Sequence, residues 1–238
     1  MPTRDDQNPG WERVLTGLGF VRRGSVLVAV SGLLLLLLGT AGRAGCANPH
    51  LPEVHSLMQY QSLIFYLALL LGFVMVVSGQ LYTALMPLGW RQRWVGLACG
   101  TLSTAALVVM ALQATPGRLA GVNAPPGGVG ALAAAVLGTT AIAASALLVM
   151  QVSRTLDRGR QARSAALFGL AMMTAAAANA EAASGLIFPH PMDALYAIAF
   201  IALANTVALI WIHHLLRASE MLILRQLDEN PQPDPRTP

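Results

Sequence analysis

The chain has 238 residues, of which 55% are hydrophobic and only 11% charged, with a formal net charge of +4. A soluble domain carries about 25% charged residues, so this composition excludes an ordinary water-soluble domain and points to a membrane protein. All fifteen basic residues are arginine, and their placement along the chain accounts for the positive charge without nucleic acid as a partner.

The first signal is "WERVLTGLGFVRRG" (11–24), where Trp11, Val14, Leu15 and Leu18 recur at helical spacing beside charged residues. That pattern predicts a short helix lying in the membrane interface. Six apolar stretches follow, at about 24–42, 60–86, 94–113, 127–151, 164–188 and 192–216. Each is long enough to cross a hydrocarbon core that takes about 20 residues. None alternates with a period of two, so helices are expected, because a lone span must satisfy its backbone groups internally.

The Leu run of the first stretch ends in "AGRAGC" (41–46), which has the outline of a lipoprotein signal peptide. The long segment before it, and Arg43 where such sites carry an aliphatic residue, argue for an uncleaved helix. After the sixth stretch, "HHLLRASEMLILRQLDE" (213–229) prolongs the helix as an amphipathic extension, and "NPQPDPRTP" (230–238) has the composition of a disordered tail. The expected fold class is an all-α integral membrane protein, a bundle of about six transmembrane helices with short interfacial helices at both cytoplasmic ends. Its parts are a cytoplasmic segment 1–23, a six-helix domain 24–216 and a cytoplasmic extension and tail 217–238.

Thirteen of the fifteen arginines fall in segments that six spans would put on one side, and only Arg43 and Arg118 fall opposite. Arginine-rich loops stay in the cytoplasm, so both termini are expected inside, in a bacterial inner membrane. The cysteines, Cys46 in a loop and Cys99 in an apolar stretch, are not expected to pair.

Two kinds of residue stand out within the spans. Spans four and five, "GALAAAVLGTTAIAASALL" (130–148) and "ALFGLAMMTAAAANAEAASG" (166–185), are rich in small residues. Pairs four apart, such as Ala171 with Ala175 and Ala178 with Ala182, let helix backbones approach closely. Within the second stretch, Asn179 and Glu181 interrupt the alanines. Counted back from Phe188 at about 1.5 Å per residue, Glu181 falls roughly 10 Å inside the outer boundary. Asn205 of span six lies about one turn deeper. A carboxylate in a span costs about 2.5–3.5 kcal/mol, so it should be protonated, hydrogen-bonded or facing water. Glu181, with Asn179 and Asn205 as ligands, is therefore the candidate solute or ion pathway. The bland reading is a neutral Glu that hydrogen-bonds a neighbouring helix.

On the external side, His50, His55, His190 and Asp193 form a candidate metal set, because imidazoles with a carboxylate can bind Zn²⁺ or Cu²⁺. Their spacing matches no standard motif, and a solvated loop is the favoured reading. His213 and His214 sit near the cytoplasmic end of span six, and no span has a mid-membrane His for haem. There is no phosphate loop, His-Glu-x-x-His or Gly-x-Ser-x-Gly. No cofactor can be named, and transport is expected over catalysis.

The expected function is a small-solute or cation permease. The alternative is a non-catalytic accessory or assembly subunit, and the third reading a membrane enzyme or metal-binding protein using the external His/Asp/Glu group. The expected partners are the lipid bilayer and either a homo-oligomer or a larger membrane complex.

Overall fold

The computed structural model describes residues 8–45, 52–84, 90–113, 129–184 and 191–229, with side chains described at 11–34, 61, 63–84, 93–109, 111, 136–176 and 203–228. Six helices make up the described residues: α1 (Asn8–Gly45), α2 (Pro52–Thr83), α3 (Trp90–Gln113), α4 (Val129–Thr155), α5 (Gly159–Ser184) and α6 (Pro191–Glu229). There is no strand among them. Four contain stretches long and apolar enough to cross a membrane: Trp11–Leu34, Leu63–Thr83, Val136–Thr155 and Leu203–Asp228. α3 contributes a shorter apolar stretch, Arg93–Val109. These features are those of a helical membrane protein.

α1 and α6 have 38 and 39 residues, about 57 Å each at the α-helical rise. That is nearly twice a hydrocarbon core of about 30 Å. α1 runs without a break, so the segment expected as a separate interfacial helix is instead its opening third. Trp11, Val14, Leu18 and Val21 are buried. They cluster with Val149 and Val152 of α4, Phe168 and Met172 of α5, and Ile212 and Leu216 of α6. Periodicity creates an apolar stripe but does not say what covers it, and here the protein's own core does so.

α1 and α2 share the most extensive interface among the described residues and run antiparallel. Two glycines seven residues apart on each helix make it close. Gly17 lies against Gly79 and Gly24 against Gly72, so a Cβ on Gly17 would stand 2.7 Å from the Gly79 carbonyl oxygen and one on Gly24 would stand 2.6 Å from that of Gly72. Only hydrogen fits at such an approach, and dispersion contacts between the two backbones replace side-chain packing.

α4 and α5 form a hairpin joined by three residues. Asp157 adopts φ 53°, the left-handed conformation. The Arg158 N–H donates to the Ser153 carbonyl at 2.7 Å and the Asp157 N–H to that of Arg154 at 3.2 Å. This pair of hydrogen bonds is a Schellman cap, which satisfies carbonyls that the helix end would otherwise orphan. Above it, Ala143 and Ala146 of α4 and Ala165 of α5 are buried in one cluster, and Ala162 and Ala176 of α5 are buried as well. Of the pairs expected to bring backbones together, Ala171 is exposed and Ala175 half-buried, and the side chains of Ala178 and Ala182 lie outside those described.

α3 packs antiparallel on α2 and α4: a Cβ on Gly96 would stand 2.8 Å from the Ala84 Cα, and the Cys99 thiol donates to the Ala144 carbonyl at 3.4 Å. α6 closes the bundle against α5 and α1. Outward faces carry large apolar side chains: Ile64, Leu67 and Leu71 on α2, Leu167 and Leu170 on α5, and Leu203, Val207 and Ile210 on α6 are all exposed. Such patches are rare on soluble monomers and suit contact with acyl chains.

Candidate functional site

The carboxylate-bearing stretch lies on α5, one turn before its last described residue, Ser184. Glu181 and Asn179 are helical there, and their side chains lie outside those described. The neighbouring helix is held in register by side chains. Gln161 Nε2 donates to Ser219 Oγ at 2.8 Å and to the Leu215 carbonyl at 3.3 Å. Trp211 Nε1 donates to Ser164 Oγ at 3.1 Å, and its ring meets Phe168 edge-on with centroids 5.6 Å apart. Carried along both helices, this register sets Asn205 beside the 170–175 stretch of α5. Glu181 is then about two turns away, roughly 13 Å along the axis, with Asn179 between. Asn205 is half-buried and engaged in an interaction within the protein.

A second polar group lies where α2 meets α4. Gln80 is fully buried within the most apolar of the four spans among the described residues. Its Nε2 donates to the Ala141 carbonyl at 3.3 Å and to Ser145 Oγ at 3.1 Å, while its Oε1 has no protein partner. Ser103 Oγ on α3 is likewise buried without a partner. The alanines of α4 make the first contact possible: with no side chain beyond Cβ in the way, a backbone carbonyl comes within reach of a side chain on the next helix. An orphaned buried acceptor costs about 1–3 kcal/mol. Chemically, Gln80 offers a fixed amide oxygen to a water, a protonated group or a small cation.

The third polar region is the arginine-bearing end. Arg22 Nε donates to Glu220 Oε1 at 2.9 Å, a contact between the first and last helices with both side chains partly buried. Two clefts flank the extension of α6. One, of about 1090 Å³, lies against the α4–α5 turn and includes Arg158, Arg160, Arg225, Asp157 and Asp228. The other, of about 670 Å³, lies between α1 and α6 and includes Arg22, Arg23, Arg217 and Glu220. The rings of His213 and His214 stand edge-to-face beside this end, with centroids 6.0 Å apart.

Of the metal set, His50 and His190 lie outside the described residues. His55 is on α2 and Asp193 on α6, both with side chains outside those described. Among the described residues, no three His, Cys, Asp or Glu side chains come together. Sequence reasoning missed Gln80 and Glu220. Gln80 had a signal, a lone amide in a strongly apolar run. Glu220 had none, because one acid in an arginine-rich extension reads as solvated until its partner is known. Compared with known proteins, the chain matches no family model, no curated protein and no solved structure.

Proposed function

We propose that the chain is a small-solute or cation permease of the bacterial inner membrane, a six-span bundle with both termini in the cytoplasm and Glu181 at its centre. The distribution of arginines supports the orientation. One observation carries the functional reading: small residues whose side chains are described are in large part buried within the chain. Gly17 and Gly24 pack on Gly79 and Gly72, and Ala143, Ala146, Ala162, Ala165 and Ala176 of α4 and α5 are buried. The outward faces carry Leu, Ile and Val, which lipid accepts. A bundle that closes upon itself has less need of a larger complex, and its interior polar residues then call for a role of their own. Asn179 and Asn205 would supply oxygens along the path, and Gln80 is a second polar station.

The test is flux into proteoliposomes containing the purified protein, with protons, Na⁺ and K⁺ as first probes. Wild type should conduct at least one of them, and Glu181→Gln should fall to the background of empty vesicles while purifying as a monodisperse protein. Undiminished flux in Glu181→Gln sinks the reading.

The accessory-subunit alternative draws support from Met221 and Leu224, which are exposed on the α6 extension. It expects Glu181→Gln to be silent, and leucine at Ala178 or Ala182 to release a co-purifying partner.

A further inference from the structure

The cleft between α1 and α6 extends from a group of arginines toward the start of α1 and the end of α6, where Leu15, Phe20, Met221 and Leu224 line it. At its base, Arg22, Arg23 and Arg217 stand against a single carboxylate, Glu220, which already accepts from Arg22. Arg23 and Arg217 are exposed, and neither has an ion-pair partner among the described residues. Such a cluster repels itself unless an anion joins it.

Each of these two arginines begins an apolar stripe. On α1, Arg23 is followed at helical spacing by Leu27 and Val30, and Val30 is 48% exposed. On α6, the face of Arg217 continues through exposed His214 to Ile210, Val207 and Leu203, which are 53%, 56% and 63% exposed. Consecutive helices alternate in direction, so α1 and α6 are antiparallel. Both stripes therefore leave the arginines toward the same end of the bundle. Cationic donors at the base of the cleft, with exposed apolar faces of two helices running away from them beyond it, match a molecule with a phosphate at one end and acyl chains behind it.

We propose that the base of this cleft holds the phosphate of an anionic phospholipid, between Arg23 and Arg217, with its chains beyond the cleft along the exposed faces of Val30 and of Ile210 and Val207. Guanidinium groups suit phosphate oxygens because two N–H donors can point at them in parallel. A basic pocket between membrane helices is a recognised setting for such headgroups. The ion pair to Glu220 holds Arg22 at the base and ties the two walls together. This site is independent of whether the bundle transports anything.

The experiment is native mass spectrometry of the delipidated full-length protein in mild detergent, with phosphatidylglycerol and phosphatidylcholine of the same acyl chains added together. Wild type should retain phosphatidylglycerol in preference. Arg23→Gln with Arg217→Gln should weaken that retention roughly 30-fold, about fivefold per arginine. The corresponding pair of lysine substitutions should keep most of it, because a positive charge remains. Arg158→Gln with Arg160→Gln, in the neighbouring cleft, should leave it unchanged. Equal retention of the two lipids by wild type overturns the proposal, as does undiminished preference in the glutamine pair. Displacement of the lipid by inorganic phosphate also overturns it, since the groove would then serve a soluble anion.

Discussion

The α1–α2 and α5–α6 interfaces join antiparallel helices by opposite means. The first depends on the absence of side chains: four glycines bring two backbones together, and nothing polar crosses between them at those points. The second depends on their presence, with Gln161 reaching Ser219, Trp211 reaching Ser164, and Phe168 set against the indole. Lipid tails are as apolar as Leu, so neither interface gains much from hydrophobic burial within the bilayer. One gains dispersion from closeness and the other gains hydrogen bonds. The lesson is that a steric interface should fail abruptly on substitution, and a polar one by degrees.

The largest effect is expected at the glycines. Gly24→Leu or Gly79→Leu would drive a side chain into the opposing backbone, costing about 3 kcal/mol. Unfolding of the purified protein by SDS titration, followed by helicity, measures it. Wild-type stability in both variants would mean that the helices part without penalty, and the contrast between the two interfaces would collapse.

A smaller effect is expected at the polar interface. Gln161→Ala should destabilise by roughly 0.6–1.7 kcal/mol, the range measured for hydrogen bonds between membrane helices. A double-mutant cycle with Ser219→Ala should recover most of that as coupling. Zero coupling would leave Phe168 and Trp211 to hold α5 on α6 alone.

The smallest effect has the opposite sign. Asp157 holds a left-handed φ that glycine adopts without strain. Asp157→Gly should therefore stabilise the α4–α5 hairpin by about 0.5 kcal/mol, read as a higher SDS midpoint. A lower midpoint would show that the carboxylate does more than cap.

Much of the bundle is legible in the amino-acid sequence. The apolar stretches at 60–86, 94–113 and 192–216 correspond to helices whose ends differ by a few residues to a dozen or so, because hydropathy marks what the bilayer accepts. What the pattern does not disclose is pairing. Gly17 and Gly24 look unremarkable in a segment that also contains Arg22 and Arg23, and only their meeting with Gly72 and Gly79 shows why a side chain is excluded there. Trp11, Val14 and Leu18 form a visible stripe, but the same stripe serves a membrane surface or a protein core. At the candidate site, Glu181 and Asn179 stand out by chemistry alone, because a polar residue among alanines is conspicuous. Gln80 is outweighed by its neighbours: the unbroken apolar run from Leu69 to Val77 masks one amide in any averaged hydropathy.

The thiol of Cys99 offers the protein a built-in clock. It is buried between α3 and α4 and donates to a backbone carbonyl, so a thiol reagent must wait until those helices separate. Where closing outpaces the chemistry, the rate of labelling reports the free energy of that local opening; where the reagent is fast, it reports how often the opening occurs. With Cys46 replaced, a single alkylation time course would show whether the bundle breathes as one body or whether α3 swings away from an intact remainder.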